Sequence, residues 1–482
     1  MCQAGYAIIS PMIRVRFAPS PTGYLHIGAA RTSFFNWLFS HKNKGRFILR
    51  IEDTDFKRSS QEMCQGIIDG MRWLGMEWDE GPFFQSERTD IHRKKAEELV
   101  KSGHAYYCYC STHTDGQERS STSWTRCRCS SLSDKERDGH RVKKSLKAVR
   151  FLVPKREVRY SDLIHGDISV QSVTIEDFVL LRNDGMPTYH LSAVVDDMDQ
   201  QISHVIRGDD HISNTPKQIL LYQAFNAPVP RFAHIALILG PDKKKLSKRH
   251  GVISIIKFRE EGYMPLAVLN YLAQMSWSVG EEKHVFSVEE MIDRFSLDRL
   301  SKGSPIFSLD KLEWINGQIL SQMTANELFP FVQEELLSAS LWKEEYEKKQ
   351  KEWFLKLIDL VKQRNKTLKD FPSRMRPFLS DRFDYDQAGI EKYLHENLKD
   401  KLKLLQKDFE MIERFDAETV EKVLRARADK EGIKAAPLIH AVRMLILGMS
   451  VSPGIFEVLE MIGKEKTIAR MGYYEKVLNM KI

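Results

Sequence analysis

The sequence of 482 residues lacks any run of 18 or more uncharged apolar residues, the length that a helix needs to cross a bilayer. An apolar stretch at residues 7–9 is too short for the hydrophobic core of a secretory signal, and no basic residue precedes it. Internal repeats and low-complexity tracts are absent as well. These absences predict a cytoplasmic protein with no membrane partner. Residues 1–11 precede a second methionine and are predicted to be a disordered extension.

Neither sign of charge is in large excess, because the chain has 73 basic and 66 acidic residues and a net charge of +7. This balance permits an RNA partner without requiring one, since many basic enzymes bind no nucleic acid. Two segments, 137–150 and 362–376, are clearly basic. Taken alone, each is better explained as a solvated face.

The order of patterns along the chain predicts two different halves. Residues 12–100 alternate between strands and helices, and the apolar strand 47–51 ends in the carboxylates of Glu52-Asp53-Thr54-Asp55. This arrangement favours a doubly wound parallel sheet with ligands at the carboxyl ends of its strands. After residue 251 the helical period dominates to the end. An α/β half followed by an all-helical half is therefore expected.

Individual elements can also be predicted from the periodicity. The pattern breaks up into Ser, Thr, Cys and Arg between residues 106 and 159, which indicates an insertion. Strands are predicted at 13–17, 173–181, 204–207 and 234–239, and helices at 27–38, 61–74, 88–101 and 216–225.

Two distant segments suit a bound phosphate. Gly23–Ala29 forms a strand-to-helix turn, and the first amides of a helix attract anions. Gly28 has no Cβ, so a flat ring can lie against its backbone. Lys245–Arg249 is a basic loop around one serine. Together they predict phosphoryl chemistry on ATP, because fixed cations and N–H donors stabilise developing phosphate charge. The alternative for His26 alone is a helix-capping histidine.

Four of the six cysteines form two Cys-x-Cys pairs, Cys108 with Cys110 and Cys127 with Cys129. Four thiolates from two short hairpins suit a closed tetrahedral Zn²⁺ site, which is structural because no ligand position stays open. Disulfides are disfavoured in a reducing cytosol. The alternative is an insertion without metal that carries four free thiols.

Five blocks in order resemble the glutamyl-tRNA synthetases. They are Arg16–Gly23, His26–Gly28, Arg50–Asp55, Val205–His211 and Lys245–Arg249, within a similarity that runs from Ile13 to Met471. The resemblance implies a class I synthetase fold of bacterial type. Its Rossmann-type doubly wound parallel sheet is interrupted by an inserted acceptor-end-binding domain and followed by an all-α anticodon-binding half.

The domain boundaries that the resemblance implies are 12–105 and 188–250 for the two halves of the catalytic domain and 106–187 for the insertion with its zinc knuckle. Residues 251–325 are expected to form a helical stem-contact domain, and residues 326–482 the anticodon-binding region.

The resemblance implies a glutamate–tRNA ligase, which makes glutamyl-adenylate from ATP with Mg²⁺ and transfers glutamate to tRNA(Glu). The glutamate carboxylate attacks the α-phosphorus and is already ionised at neutral pH, so no general base is needed. His26, Lys245 and Lys248 are the predicted catalytic residues. Thr22, Gly28 and Ser247 join them in ATP binding. Charging of tRNA(Gln) is left open, and the family is usually monomeric.

Recognition of glutamate needs cations for its two carboxylates, ideally arginines with their bidentate fork. The resemblance implies Arg16 and Arg207 at the carboxylates and Glu52 at the α-amine. Ser20 and Tyr189 are expected as hydrogen-bonding walls. Ala29 replaces a second histidine of the wider class, and Ala193 replaces an amide of some members.

One alternative and one control residue belong to this predicted glutamate site. A surface ion pair is the alternative for Arg16 or Glu52 singly. Arg14, on the same strand as Arg16, is expected to face the other way and to serve as a control.

The helical half is expected to read the anticodon, with Arg364, Arg374 and Arg376 as candidates. A glutaminyl enzyme is disfavoured because its anticodon region is built from β-barrels, and a short relative that glutamylates a modified tRNA base ends soon after the lysine loop. A non-catalytic RNA-binding paralogue and a small-molecule nucleotidyltransferase are the alternatives from other classes. The intact His26 and lysine segments disfavour the first, and the helical half disfavours the second.

Overall fold

The computed structural model describes residues 12–54, 60–110, 127–132, 136, 139, 147–246, 254–277 and 283–480. Residues 1–11, predicted to be a disordered extension, and most of the basic segment 137–150 lie outside this part of the chain. Two compact units are present. The first contains the chain up to Arg259 together with Val268–Leu309, and the second contains Glu260–Ala267 and the chain from Asp310 onward.

The described strands and helices of the first 250 residues follow one another in this order: β1 (Arg14–Phe17), α1 (Ile27–Lys42), β2 (Arg46–Ile51), α2 (Gln61–Trp73), β3 (Glu80–Phe84), α3 (Thr89–Lys101), β4 (Ala105–Cys108), β5 (Ala148–Phe151), β6 (Glu157–Asp162), β7 (Gly166–Gln171), β8 (Val179–Leu181), α4 (Tyr189–Asp199), β9 (His204–Gly208), α5 (Thr215–Ala224) and β10 (Arg231–Ile235).

The core of the first unit is parallel. Strands β1, β2 and β3 form one three-stranded parallel sheet in that order. Strands β9, β10 and β6 run parallel in a second sheet, whose order is β7-β6-β10-β9. Ser203 N donates to Arg14 O over 2.9 Å, so the start of β9 lies beside β1. The doubly wound parallel architecture predicted from the sequence is confirmed.

Strand β2 shows why these residues form a central strand. All of its residues after Arg46 are buried, as expected for a parallel strand covered on both faces. Phe47, Ile48 and Leu49 supply the apolar contacts of the core. Arg50 is the exception, because it is a charged side chain with no exposure at all.

Helix α1 begins at the phosphate-friendly turn that the sequence predicted. Its N-cap is His26, whose Nδ1 accepts a hydrogen bond from Ala29 N over 3.2 Å. No acidic side chain occupies the first turn. The first turn of the helix therefore supplies no counter-charge of its own to the positive end of the helix dipole.

Part of the predicted insertion joins the second parallel sheet. Strands β4, β5 and β8 form a separate antiparallel sheet. The hairpin β6–β7, by contrast, extends the parallel sheet, because Asp162 of β6 lies in register with Phe232 of β10.

Two observed strands differ in their bounds from the predicted ones. The expected strand 173–181 is a 3₁₀ turn at Ser172–Thr174 followed by β8 alone, and the expected strand 234–239 ends at Ile235. Ala236 and Ile238 continue the apolar run of β10 as buried loop residues, whereas Val173 of the first segment is 50% exposed. An apolar run therefore does not by itself identify a strand.

From residue 254 onward the described residues form helices and no strand element. They are α6 (Ile255–Glu260), α7 (Pro265–Ser276), α8 (Val288–Arg294), α9 (Leu309–Gln322), α10 (Ala325–Ser338), α11 (Lys351–Lys362), α12 (Asp370–Leu379), α13 (Gln387–Tyr393), α14 (Lys399–Glu410), α15 (Ala417–Lys430), α16 (Ala435–Leu447), α17 (Ile455–Ile462), α18 (Lys464–Met471) and α19 (Tyr474–Leu478).

Helix α11 is amphipathic and buries one apolar stripe, which consists of Phe354, Leu357, Ile358 and Val361. The predicted all-helical half is thus confirmed. Among the described residues, none of the helices combines the length and the apolar composition that a bilayer span requires.

Candidate active site and metal centre

The turn before α1 forms the first part of the candidate site. A Cβ on Gly28 would lie 3.2 Å from His26 Cε1 and 3.3 Å from Nδ1, which is tighter than ordinary packing. Glycine therefore allows the imidazole to lie close over the start of the helix. Thr22, also predicted to bind ATP, is exposed in the loop just before this turn, where its N–H donates to Ser20 O over 2.8 Å.

Lys245 faces this turn although it lies more than two hundred residues away in sequence. Desolvation, and next the positive charge of Lys245, lower the pKa of His26, whereas Asp210 acts in the opposite direction. Lys245 Nζ lies 2.8 Å from Asp210 Oδ2 and its side chain is 63% exposed. The ammonium group is thus held by one exposed carboxylate that a phosphate can replace. Ser247 and Lys248 lie outside the described residues.

A buried charge cluster occupies the carboxyl ends of β1 and β2. One oxygen of Asp197, Oδ1, accepts from Arg16 Nε over 3.1 Å and from Arg50 Nη1 over 2.7 Å. All three side chains are at most 5% exposed. Tyr222 donates its hydroxyl to the other oxygen of Asp197 over 3.3 Å. Arg16 is therefore part of a buried network, and the surface ion pair considered as its alternative is wrong.

Glu52 is the second carboxylate of this cluster. Arg50 Nη2 lies 3.3 Å from Glu52 Oε1, and Glu52 is 9% exposed. Desolvation raises the pKa of Glu52, although the charges of Arg50 and Arg16 oppose the rise. The surface ion pair is wrong for Glu52 as well, since its partner is buried.

Arg207 and Tyr189 form the opposite part of the candidate glutamate site. Arg207 Nη1 donates to the Tyr189 hydroxyl over 3.1 Å, and Arg207 Nη2 donates to Thr215 Oγ1 over 2.7 Å. Desolvation raises the pKa of Tyr189, whose surroundings include the charges of Arg207, Glu52 and Arg16. Four of the five side chains predicted to bind glutamate therefore act on one another.

Ser20, the fifth of these residues, lies in the exposed loop after β1. Its neighbour Pro19 accepts a hydrogen bond from Glu52 N over 2.9 Å, which ties the loop to the carboxyl end of β2. Ala193 is buried in α4 with 1% exposure and has no polar group to offer.

The expected orientation of Arg14 is wrong. Arg14 Nε donates to Gln200 O over 2.7 Å, just beyond the helix α4 that carries the Asp197 partner of Arg16. Residues two apart on a strand point to the same face, so Arg14 and Arg16 share a face of β1. Arg14 also forms a bidentate pair with Glu80, with both distances 2.8 Å.

Several buried polar residues of the site were not predicted. Arg50 and Asp197 support Arg16 and Glu52, and Asp162 and His234 lie behind Arg207. The pattern that could have revealed them is a polar residue inside an apolar element. Arg50 interrupts Phe47–Ile51, and Asp196-Asp197 follows Ala193-Val194-Val195.

The four predicted metal ligands converge. The Sγ atoms of Cys108, Cys110, Cys127 and Cys129 all lie within 4.8 Å of one another. Three of the pairs are 3.5, 3.6 and 3.7 Å apart. Tetrahedral zinc–sulfur bonds of about 2.3 Å would separate the sulfurs by about 3.8 Å. The donor set and its spacing thus fit Zn²⁺.

In the second unit, the predicted tRNA-contacting arginines lie near one another in sequence but differ in exposure. Arg364 is exposed after α11, whereas Arg374 and Arg376 are half-buried on α12. Burial, and next the charge of Arg364, lower the pKa of Arg443. The positive charges of Arg364 and Arg443 therefore act on each other, which the sequence analysis did not predict.

Known families match both parts of the chain. The family described as "tRNA synthetases class I (E and Q), catalytic domain" matches residues 12–314, and the family described as "Anticodon binding domain" matches residues 325–474. These matches show that the chain is a class I tRNA synthetase of the glutamate and glutamine group.

Relatives of similar length narrow the class further. Glutamate–tRNA ligase 2 of Koribacter versatilis is 42% identical over 472 residues, which cover 96% of this chain and 98% of the relative. Glutamate–tRNA ligase 1 of Caldanaerobacter subterraneus is 40% identical over 95% of this chain and 96% of its own.

A crystal structure of a glutamate tRNA ligase from Elizabethkingia meningosepticum in complex with its amino acid covers 98% of this chain and 100% of its own. It superposes with a TM-score of 0.87 at 31% identity. The chain belongs to the glutamate–tRNA ligase family.

Proposed function

We propose that this chain activates L-glutamate with ATP and transfers the glutamyl group to the 3′ end of tRNA(Glu), releasing AMP and pyrophosphate. The observation that carries the proposal is the group of buried charged side chains that the structure brings together. Asp197 and Arg50 hold Arg16 and Glu52, and Arg207 lies against Tyr189, whose surroundings include the charges of Arg16 and Glu52. Two guanidinium groups for two carboxylates and one carboxylate for an amine match the three charged groups of glutamate.

The arginines also account for discrimination against glutamine. A guanidinium group pairs with the side-chain carboxylate of glutamate through charge-assisted hydrogen bonds, which are stronger than those to the neutral amide of glutamine. We infer that Arg16 and Arg207 bind the two carboxylates, Glu52 binds the α-amine, and Ser20 and Tyr189 complete the wall.

The nucleotide is proposed to bind at the start of α1. His26, Gly28 and Thr22 would receive ATP there, while Lys245, Ser247 and Lys248 would stabilise the charge that develops as pyrophosphate leaves. Mg²⁺ would enter with the phosphates. The exposed position of Lys245 against Asp210 supports this assignment, because phosphate competes for the same ammonium group.

Zn²⁺ is proposed as a structural ion bound by Cys108, Cys110, Cys127 and Cys129. The support is the sulfur spacing together with burial, since Cys108 and Cys129 are 5% and 7% exposed. Four thiolates this close repel one another without a cation. The ion would hold together the two short segments that carry the cysteines.

The remaining parts of the proposal concern the partners. We infer that Arg364, with Arg374 and Arg376, contacts the anticodon, that the enzyme is a cytoplasmic monomer, and that tRNA(Gln) is a possible second acceptor. Exposure of Arg364 beside Arg443 supports the first point, because splayed RNA bases stack on guanidinium groups.

Aminoacylation of purified tRNA(Glu) and tRNA(Gln) with labelled glutamate and labelled glutamine tests the proposal. Glutamate attached to tRNA(Glu) is the expected product. The reaction with tRNA(Gln) shows whether this tRNA is also an acceptor of glutamate. Preferential attachment of glutamine would contradict the substrate, and tRNA binding without any ATP consumption would indicate a non-catalytic RNA-binding protein instead.

A further inference from the structure

Two fully buried polar residues behind Arg207 have no assigned role. His234 on β10 and Asp162 at the end of β6 are 0% and 2% exposed. His234 Nδ1 lies 2.6 Å from Asp162 Oδ2. On its other side, His234 Nε2 lies 3.2 Å from Arg207 Nε and 3.0 Å from Thr215 Oγ1. The three side chains Asp162, His234 and Arg207 thus form a continuous chain of hydrogen bonds.

The hydrogen bonds on its two sides determine the tautomer of the His234 imidazole. Desolvation alone would raise the pKa of Asp162, but hydrogen bonds from His234 and from the backbone amides of His165 and Ile164 hold it below its usual value. An ionised carboxylate only accepts, so Nδ1 of His234 carries the hydrogen. Nε2 then presents a lone pair to Arg207 Nε, which only donates.

The neutral state of His234 is required for this arrangement. Desolvation lowers the pKa of His234, and the charges of Arg207 and His165 act in the same direction, whereas Asp162 opposes them. His211 also lies within electrostatic reach, and its pKa falls to about 4, mainly by desolvation. A protonated His234 would turn its acceptor into a second donor against Arg207.

We propose that His234, held by Asp162, is a positioning residue that fixes the guanidinium plane of Arg207 toward the substrate carboxylate. With Nε bound to His234 and Nη2 bound to Thr215, rotation about the last bonds of Arg207 is blocked. Nη2 also donates to His211 O over 3.5 Å, so the second hydrogen of Nη1 is the one that we assign to a carboxylate. This inference rests on the proposed contact between Arg207 and glutamate.

The position of Asp162 connects this chain of hydrogen bonds to the predicted insertion. Asp162 belongs to the hairpin β6–β7, which extends the second parallel sheet from within the predicted insertion. Its Oδ1 accepts from the backbone amides of Ile164 and His165, both over 2.9 Å, so the turn of the hairpin holds the carboxylate in place. The hairpin therefore orients a substrate-binding residue without contacting the substrate.

Two substitutions of His234 separate positioning from packing. His234→Asn keeps a donor near Nδ1 for Asp162 and removes the acceptor for Arg207. We expect KM for glutamate to rise about tenfold, because a hydrogen bond to a charged group is lost, with kcat and KM for ATP nearly unchanged. His234→Gln places an amide oxygen near Nε2 and should restore most of the affinity. Asp162→Asn donates to Nδ1, favours the wrong tautomer and should resemble His234→Asn.

His204→Asn is the matched control. His204 is a buried histidine on the neighbouring strand β9, it has no contact with Arg207, and desolvation lowers its pKa to about 4. It should lose thermal stability without a selective change in KM for glutamate. Equal effects of His204→Asn and His234→Asn on both substrates would overturn the positioning role.

Arg207→Lys distinguishes the two possible failures. In one outcome, KM for glutamate rises strongly with Arg207→Lys but does not rise with His234→Asn or Asp162→Asn. This outcome overturns only the positioning role of His234 and Asp162. An unchanged KM with Arg207→Lys overturns the contact between Arg207 and glutamate, and with it that part of the proposed function.

Discussion

Arg50 and Asp197 form a buried ion pair, with 2.7 Å between Nη1 and Oδ1, that connects Arg16 to Glu52 in the candidate glutamate site. Asp197 also receives Arg16, and Arg50 also reaches Glu52. Burial alone would lower the pKa of Arg50, but Asp197, Glu52 and Asp196 outweigh it and raise the pKa. The two residues thus hold one cation and one anion of the site at fixed positions.

Removal of Arg50 should be costly for stability. We expect Arg50→Met to lower the free energy of unfolding by about 3–5 kcal/mol, because Asp197 and Glu52 would remain as uncompensated buried charges. Arg46→Met, on the same strand, removes a half-exposed pair with Asp79 and should cost no more than about 1 kcal/mol. Urea unfolding of both variants measures the difference. Similar losses would show that the buried pair contributes little.

Lys245 should act on the activation step alone. We expect Lys245→Ala to lower the rate of glutamate-dependent ATP–pyrophosphate exchange about a hundredfold, since one fixed donor to developing phosphate charge is lost. Lys248→Ala should do the same. Lys244→Ala, a neighbour in the same loop, is the control and should retain most of the activity. A Lys245→Ala enzyme with normal exchange but weak tRNA binding would instead mark an RNA contact.

Acidic pH should weaken glutamate binding through Glu52. Burial raises the pKa of this carboxyl, so it takes up a proton at a higher pH than an ordinary glutamate and then no longer attracts the α-amine. KM for glutamate should therefore rise as the pH falls toward this raised pKa, while KM for ATP stays level. Steady-state kinetics across the acidic range measure both constants.

Glu52→Gln and Glu62→Gln test the origin of this pH dependence. Glu52→Gln should show a high KM that no longer changes over the same pH range. Glu62, an exposed residue that accepts from the Tyr24 hydroxyl, is the control, and Glu62→Gln should keep the normal profile. A dependence that persists in Glu52→Gln would assign it to another group.

Metal content should follow the four cysteines. We expect about one zinc ion per chain, because the site is closed and tetrahedral, and none after Cys110 and Cys127 are both changed to serine. Cys64→Ser should keep the zinc, since Cys64 lies outside the cluster. Metal analysis by mass spectrometry gives the stoichiometry. Zinc-free protein with the thermal stability of the native chain would contradict a structural ion.

Much of the fold could be predicted from local patterns. The parallel strands β1, β2 and β9, the helices α2, α3 and α5, and the helical half all follow from apolar periodicity and from polar residues at element ends. The four-cysteine cluster also follows from spacing, because two Cys-x-Cys pairs suffice to indicate a tetrahedral donor set. The strand predicted at 173–181 was wrong over most of its length, because the chain first forms a 3₁₀ turn at Ser172–Thr174 and β8 begins only at Val179.

Candidates for the residues that carry the chemistry could be named from the sequence by itself, because a catalytic side chain must be of one particular kind at one particular place in a motif. Which residues hold them there was decided only by the tertiary structure. Arg50, Asp197, Asp162 and His234 come from four separate elements, and their meaning lies in distances that arise when those elements pack. A buried charge needs its partner in space, and nothing in sequence order records that partner.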